Sequence, residues 1–311
     1  MYQSEKNLIF VGGIMEQLEE NIFAKWEDKA EPTVPTATLQ IYKFIETYLA
    51  RPNDTHVNRA SSATMCYKRR WFTRKGYPAT PLTPRKRVNF LLGDLSEKTM
   101  QFFIKHACVG PGLLYSEVDF GREIGHFTIQ NKKISVYEQD DLIAQIGDIQ
   151  VTAHVDGWGR RNSDGCWELI ECKSAADYGF DSFKEEGPGD YLKQAMVNLQ
   201  TDRANLLQAK SVRFFYLKKN TGHLWDRHYP FDPELAKEVA EEFKIANGEA
   251  LPKTPHPLKT ETFRSKPTGR VIAQFPCTYC PYLEECQGPH EVDFKGQSPK
   301  YVFKQKELEN V

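Results

Sequence analysis

The chain lacks any apolar run that approaches the roughly 20 residues of a membrane-spanning helix. Its first apolar run, from Leu8 to Met15, has neither a basic lead nor a cleavage-site pattern, which argues against a secretory signal peptide. An excess of one charge is also lacking, because 41 Lys and Arg residues nearly balance 42 Asp and Glu residues. We therefore expect a cytoplasmic protein with no membrane partner, in which any phosphate affinity comes from local clusters of charge.

Acidic residues are missing from one long stretch, residues 55–93. Cationic side chains neutralise phosphates, and aromatic rings stack on unpaired bases. A solvated charged face is the alternative, but the absence of acids and the interleaved aromatics favour nucleic-acid contact. The residues concerned are Arg59, Lys68, Arg69, Arg70, Arg74, Lys75, Arg85, Lys86 and Arg87, with Tyr67, Trp71, Phe72 and Tyr77.

A β-hairpin is predicted over Thr152–Ser174. Its two arms carry apolar residues at alternate positions, as strands with one buried face do. Between the arms lies Arg160–Gly165, where Asn, Ser, Asp and Gly follow one another and favour a tight turn. We place the centre of this turn between Ser163 and Asp164, which sets the pairing of the two arms.

With this register, Asp156 faces Glu171 and His154 faces Lys173, all on one face, whereas Cys172 points to the opposite, buried face. Residues directly opposite in an antiparallel pair have Cβ atoms about 4.5–5.5 Å apart. Two carboxylates at that distance repel each other unless a cation lies between them. The pattern predicts a divalent-metal site with a lysine beside it, and the alternative is a surface hairpin with one polar face.

Two helices carry further candidates. Leu92–Ile104 has helical apolar spacing, and Glu97 lies on its apolar stripe, where it is either a metal ligand or a residue at the rim. A second helix is predicted from Asp190 to Lys210. Tyr191 and Gln194 share a polar stripe beside its apolar stripe.

The seven cysteines are expected to be thiols or metal ligands rather than disulfides in an intracellular protein. Cys277, Cys280 and Cys286 have x2 and x5 spacing, which favours a shared metal ion or cluster. Three soft ligands leave one position open. Cys66 is our choice for it, and His290 is the alternative. The occupant is an iron–sulfur cluster or zinc, since spacing alone does not separate them.

The order of these motifs resembles the PD-(D/E)xK nuclease superfamily, in its RecB-like and lambda-exonuclease-like branch. The motifs are Gly93-x3-Glu97, Asp156-Gly157, Glu171-x-Lys173 and Tyr191-x2-Gln194. An upstream cysteine with a C-terminal Cys-x2-Cys-x5-Cys is similar to the iron–sulfur subset, which includes AddB-type domains and CRISPR-adaptation nucleases. The resemblance covers roughly residues 60–290. The glutamate at position 97 matches the lambda-exonuclease type, whereas RecB-like members often carry His there.

The resemblance implies a role for each candidate. Mg²⁺ or Mn²⁺ would be held by Asp156, Glu171, the backbone carbonyl of Cys172 and Glu97. Lys173 would position or help deprotonate a water, and His154 would contact phosphate or orient a ligand. Tyr191 and Gln194 would hold the DNA backbone. A structural 4Fe–4S cluster, with zinc as the alternative, would be bound by Cys66, Cys277, Cys280 and Cys286.

The expected fold is α/β, a mixed central sheet flanked by helices with a cysteine-stapled periphery. The expected domains are an N-terminal helical extension (1–54), the nuclease domain (55–290) and a C-terminal tail (291–311). The expected function is a metal-dependent DNA exonuclease acting on an end, with a single-stranded end favoured, in recombination, repair or phage DNA processing. One alternative is a nuclease subunit that trims ends for a helicase, recombinase or CRISPR integrase. The other is a non-catalytic iron–sulfur or zinc DNA-binding module.

Overall fold

The structure is a computed structural model that describes residues 40, 44, 57–80, 84–129, 131–263, 266–274, 276–293 and 300–303. The chain divides into two compact units. One combines Met1–Arg51 with Thr83–Arg87, and the other combines Pro52–Leu82 with Val88–Val311. The predicted N-terminal extension 1–54 lies outside the described residues except at positions 40 and 44. The account below therefore concerns the second unit and helix α2.

Thirteen strands are present in the described part of the chain. They are β1 (Tyr115–Asp119), β2 (Arg122–Ile129), β3 (Lys132–Glu138), β4 (Leu142–Ile146), β5 (Ile149–Ala153), β6 (Gly157–Arg161), β7 (Trp167–Ala175), β8 (Ser211–Lys218), β9 (Leu224–Pro230), β10 (Lys259–Phe263), β11 (Lys266–Ile272), β12 (His290–Asp293) and β13 (Lys300–Phe303). The central sheet has the order β1-β6-β7-β8-β9. It is mixed, because β7 and β8 run parallel and the other neighbours are antiparallel.

Helices in the described residues are α1 (Tyr67–Arg74), α2 (Pro84–Ala107), α3 (Asp177–Glu186), α4 (Asp190–Asn198), α5 (Asp202–Leu207), α6 (Pro233–Asn247) and α7 (Leu283–Gln287). The helix predicted from Asp190 to Lys210 is in fact two helices. The Thr201 hydroxyl accepts a hydrogen bond from the backbone N–H of Ala204 at 3.3 Å and so caps α5. A threonine that caps a new helix start competes with continuation of the preceding helix.

The central sheet is covered by helices on both faces, as the α/β prediction expected. Successive residues of β7 and β8 alternate between the two faces, which is the two-residue period of a strand. One face joins Leu169 and Phe214 to residues of α4 and α6 in the larger hydrophobic cluster. The other face joins Ile170 and Phe215 to residues of α2 and β3. Strand β7 is therefore buried on both sides, and polar side chains on it are deeply enclosed.

The predicted hairpin register is confirmed where the two strands pair. Gly157 lies opposite Ile170 and Arg160 opposite Trp167. The predicted first arm is wrong at its start, because Thr152 and Ala153 belong to β5, which pairs with β4. The two-strand pairing with β7 begins only at Gly157. His154 therefore lies in the connection between two sheets and not opposite Lys173.

Gly157 leaves no room for a side chain. A Cβ atom built there would lie 2.3 Å from Cδ1 of Phe120 and 3.0 Å from the carbonyl oxygen of Asp119. The close approach of β1 and its following residue to β6 thus requires glycine at this position. Close packing therefore explains why glycine follows aspartate in the Asp156-Gly157 motif.

The basic segment is integrated into the fold more than the sequence indicated. Trp71 and Phe72 are 6% and 2% exposed, so neither ring is available to stack on a base. Arg70 pairs with Glu242 at 2.6 Å, although its helix has no acidic residue of its own. Nucleic-acid contact by the remaining residues of the segment stays a prediction.

The C-terminal region forms a second sheet of the order β10-β11-β13-β12. Strands β12 and β13 pair over His290–Asp293 and Lys300–Phe303, so part of the predicted 291–311 tail is β-structure. No helix in the described parts of the chain has the length and apolarity needed to cross a bilayer.

Replacing Gly157 by alanine should destabilise the protein by about 1–3 kcal/mol, because Phe120 and the β1 end must move to admit the methyl group. Gly93→Ala is the matched control, since nothing lies within 4 Å of a Cβ built at that helical position. Urea unfolding should show a lower midpoint only for Gly157→Ala. Equal midpoints for Gly157→Ala and the unaltered protein would contradict the close packing.

Candidate active site

Two strands and one helix bring the candidate residues together. Asp156 immediately precedes β6, Glu171 and Lys173 lie on the central strand β7, and Glu97 lies on α2. Glu171 and Asp156 are 1% and 6% exposed. Charged groups are almost never this buried unless they are paired or bind a metal.

The Asp156 carboxylate bridges two segments. Its Oδ2 atom accepts a hydrogen bond from the backbone N–H of Cys172 at 2.7 Å. Its Oδ1 atom accepts one from Nε2 of Gln139 at 2.8 Å. The backbone carbonyl of Asp156 accepts a third bond from Nε2 of Gln101, also at 2.8 Å. These contacts fix Asp156 beside β7, one residue from Glu171.

Glu97 is brought to the same place from helix α2. Its Oε1 atom accepts hydrogen bonds from Nζ of Lys98 at 2.8 Å and from Nε2 of Gln139 at 3.2 Å. The Gln139 amide thus contacts both Glu97 and Asp156. Nε2 of Gln101 lies 3.4 Å from the same Glu97 oxygen. The predicted site therefore includes Glu97.

Glu171 and Lys173 form an ion pair through Oε1 and Nζ. The Lys173 ammonium also lies 5.0 Å from the ring centre of Tyr191, a distance at which a cation is attracted to an aromatic face. The second carboxylate oxygen of Glu171, Oε2, is buried and accepts no hydrogen bond from the described residues. One face of this carboxylate is therefore left for another ligand.

The electrostatics of the site reflect crowded carboxylates. Burial, with the nearby charge of Glu171, raises the pKa of Asp156 to about 7. Burial, with the charge of Asp156, raises the pKa of Glu97 to about 7. Burial alone would lower the pKa of Lys173, but Glu171 and Asp156 outweigh it, so the net shift is upward. Lys173 therefore keeps its proton at neutral pH.

The donor set fits a hard divalent cation. Mg²⁺ and Mn²⁺ prefer oxygen ligands, and the buried Oε2 of Glu171 and Oε1 of Gln101 have no hydrogen-bond donor. In the described part of the chain, no three His, Cys, Asp or Glu side chains converge closely enough to hold a metal as they stand. Gln139 and the backbone N–H of Cys172 each donate to one Asp156 oxygen. A carboxylate oxygen that accepts one hydrogen bond keeps a second lone pair, so these donors leave Asp156 able to bind a cation.

The remaining predicted residues are placed differently. His154 lies with Nδ1 3.3 Å from Oδ1 of Asp141, and its side chain is 42% exposed. Gln194 is buried on α4, one helical turn after Tyr191. Cys172 is buried and contributes its backbone N–H to Asp156, while a ligand role for its carbonyl stays a prediction. The Tyr191 ring lies beside the Lys173 ammonium, and its predicted contact with DNA stays a prediction.

Sequence reasoning missed three residues of the site: Lys98, Gln101 and Gln139. Gln101 lies four residues after Glu97 and could have been found from helical spacing. Lys98 adjoins Glu97 and offered no pattern of its own. Gln139 gave no signal at all, because it follows a different hairpin, 17 residues before Asp156.

The predicted cysteine ligands form a second cluster, built where α1 packs on the C-terminal region. Cys66 precedes α1, whose Phe72 ring stacks on Tyr282 at a centroid distance of 5.5 Å. The backbone N–H of Thr80 donates to the carbonyl of Pro281 at 3.1 Å. These contacts place Cys66 beside the Cys277–Cys286 segment, although more than 200 residues separate the two in the sequence.

The four thiols lie near enough to one another to interact electrostatically. Burial, together with the nearby Cys280, Cys286 and Cys66, raises the pKa of Cys277 to about 12. The sulfur of Cys66 accepts a hydrogen bond from the backbone N–H of Arg69 at 3.3 Å. Burial nevertheless raises the pKa of the Cys66 thiol, and this N–H donor only partly offsets the increase.

His290 was the alternative fourth ligand, and it is engaged elsewhere. Its ring packs against Tyr301 and Phe303, at centroid distances of 5.1 and 5.4 Å. Cys66 lies close enough to influence Cys277 electrostatically, and its role as fourth ligand stays a prediction. Sulfur donors suit a soft metal ion or an iron–sulfur cluster, although within the described ranges no three cysteines lie close enough together to hold one as they stand.

Comparison with protein-family models and with curated proteins found no match in either case. Among solved structures, the crystal structure of SSO0001 aligns with a TM-score of 0.42 and 12% sequence identity, over 81% of this chain and 96% of that chain. A likeness this distant carries no argument about the site.

Asp156→Asn should raise the melting temperature in EDTA at pH 8, by about 2–4 °C. Folding raises the pKa of Asp156 from 3.8 to about 7, so the protonated carboxyl favours the folded state at low pH. This stabilisation is fully present below pH 3.8 and is lost as the pH rises through about 7, where the buried carboxyl ionises. Asparagine cannot ionise and therefore avoids the loss. The gap between variant and unaltered protein should therefore close as pH falls toward 5.

Asp164→Asn is the control for this measurement. The Cys166 backbone N–H and Arg161 lower the pKa of Asp164, so removing that carboxylate should not raise the melting temperature at pH 8. An Asp156→Asn variant that melts below the unaltered protein in EDTA at pH 8 would contradict the assigned repulsion.

Proposed function

We propose that this chain is a divalent-cation-dependent deoxyribonuclease of the PD-(D/E)xK type, an exonuclease that hydrolyses phosphodiester bonds at DNA ends. The observation that carries the proposal is the convergence of buried Asp156 and Glu171 with Glu97 beside the protonated Lys173. Structural proteins rarely bury two carboxylates with a third close by, since repulsion and desolvation both oppose it. A cation bound between these carboxylates would offset their repulsion.

Asp156, Glu171 and Glu97 would hold Mg²⁺ or Mn²⁺, for which their oxygens are suitable ligands. When bound, such an ion polarises the scissile phosphate and activates a water molecule. The orphaned Oε2 of Glu171 is the group best placed to turn toward it. Gln101 would keep the Asp156 backbone in place through its bond to the carbonyl.

Lys173 would act as a charged donor in this reaction. The raised pKa of Lys173 argues against a role as general base at neutral pH. Its ammonium would instead orient the attacking water or stabilise the negative charge that develops on the phosphate oxygens. The Tyr191 ring beside it limits the directions in which the side chain can point.

The DNA backbone would approach from the open side of the site. Tyr191 and Gln194 lie on α4 and would contact phosphates on either side of the scissile bond. His154, 42% exposed beside Asp141, would contact a phosphate further from the cation.

The four-cysteine centre would have a structural role. A 4Fe–4S cluster, or zinc, bound by Cys66, Cys277, Cys280 and Cys286 would join the start of α1 to the C-terminal region. These segments already meet through Phe72 and Tyr282. A bound cluster would add a covalent link to that packing and order the basic segment near the DNA.

The first test is cleavage of end-labelled linear and circular DNA with Mn²⁺ or Mg²⁺. Lys173→Met should lower the rate about 100- to 1,000-fold, because it removes a charge-stabilising donor while keeping the apolar stem. Lys219→Met, at an exposed lysine beyond the same sheet, is the matched control and should keep full activity. EDTA should abolish cleavage, and circles should be spared.

Each other outcome of the cleavage test has a distinct meaning. Cleavage of circles would make the protein an endonuclease. Binding of DNA without cleavage would favour the subunit or non-catalytic alternatives. Full cleavage by Lys173→Met would show that the site lies elsewhere.

The second test is metal content after purification without oxygen. The unaltered protein should be brown and contain iron and sulfide, and Cys66→Ala should lose them. His290→Ala and Cys166→Ala are the controls and should retain both, since His290 packs against aromatic rings and Cys166 is exposed. A colourless protein with one zinc would replace the iron–sulfur assignment, and loss of metal in His290→Ala would overturn the ligand set.

A further inference from the structure

We infer that Gln139 is a positioning residue that holds Glu97 and Asp156 in the arrangement one cation requires, and thereby sets the affinity of the site. This inference rests on the proposed function, because it concerns the same carboxylates. Nε2 of Gln139 lies 2.8 Å from Oδ1 of Asp156 and 3.2 Å from Oε1 of Glu97. The two carboxylates are therefore joined through one amide group.

The chemistry of the amide suits this position. A glutamine NH₂ group has two hydrogens and can donate to two acceptors at once. Between two carboxylates, it partly offsets their mutual repulsion, as a cation would do more strongly. Lys98 competes for Glu97, because its ammonium lies 2.8 Å from the same oxygen. Without Gln139, that ion pair would be free to draw Glu97 away from Asp156.

The backbone around Gln139 is anchored to the helix that carries Glu97. Gln139 follows strand β3, whose Tyr137 is buried in one cluster with Met100 and Ile104 of α2. The Lys105 ammonium of α2 also donates to the Tyr137 hydroxyl. The end of β3 is thus tied to α2 near Glu97, while the Gln139 side chain reaches across to Asp156. This connection is absent from the sequence pattern of the site.

The alternative role for Gln139 is simple packing, and its surroundings argue against it. The side chain is only half-buried, and it belongs to no hydrophobic cluster of the described residues. Its recorded hydrogen bonds both go to carboxylates. Groups that hydrogen-bond to metal ligands typically change metal affinity 10- to 100-fold when they are removed. We assign Gln139 to this class of residue.

The experiment is titration of Mn²⁺ into the full-length protein without DNA, with free Mn²⁺ followed by electron paramagnetic resonance. Gln139→Met keeps the size of the side chain but donates no hydrogen bond, and it should bind Mn²⁺ about 10- to 100-fold more weakly. Gln139→Asn keeps the amide but shortens its reach, so it should also bind more weakly. Gln145→Met is the matched control, because that exposed amide donates only to the Gly147 carbonyl.

Activity gives a second readout that a purely structural role would not produce. Cleavage by Gln139→Met should be restored when the Mn²⁺ concentration is raised in proportion to the lost affinity, with KM for DNA unchanged. Melting in EDTA checks that the variant is folded. A folded Gln139→Met with unaltered Mn²⁺ affinity would overturn the inference and leave the proposed function standing. Absence of Mn²⁺ binding by the unaltered protein would overturn both.

Discussion

The main physical constraint on the described structure is the mutual repulsion of its buried carboxylates. Asp156 and Glu171 are held side by side where β6 and β7 meet, and Glu97 reaches them from α2. Water cannot screen these charges, so protons, Lys173 and amide donors compensate them. The fold maintains this unfavourable cluster because both faces of β7 are covered by hydrophobic clusters. A site of this kind exchanges stability for the capacity to bind a cation.

Two packing arrangements support that cluster from a distance. Gly157 lets the ring of Phe120 lie directly against β6, which fixes the strand that follows Asp156. On the other side of the chain, Phe72 and Tyr282 join α1 to the segment of Cys277–Cys286. The first arrangement holds the carboxylates, and the second gathers the thiols. In the proposed function, one provides the chemistry and the other orders the surface around it.

The lysine in the site also gains a clearer role from its surroundings. A lysine between Glu171 and Asp156 is stabilised in its charged form, which favours electrostatic assistance over proton abstraction. The burial of Trp71 and Phe72 likewise argues against base stacking by these two rings of the basic segment. Trp71 and Phe72 pack with Tyr282 in the cysteine-bearing region and so do not form a stacking surface.

Local chemistry in the sequence determined the hairpin register, because a polar turn and two-residue alternation constrain strands that are close in the chain. The same reasoning predicted Asp156 beside Glu171, although the strand pairing begins one residue later, at Gly157. Only the tertiary structure decided that His154 leaves the hairpin for the connection to the neighbouring sheet, that Cys66 lies near Cys277, and that Gln139 lies between two carboxylates. These contacts join segments whose separation in sequence is unrelated to any strand or helix period, so no local pattern encodes them.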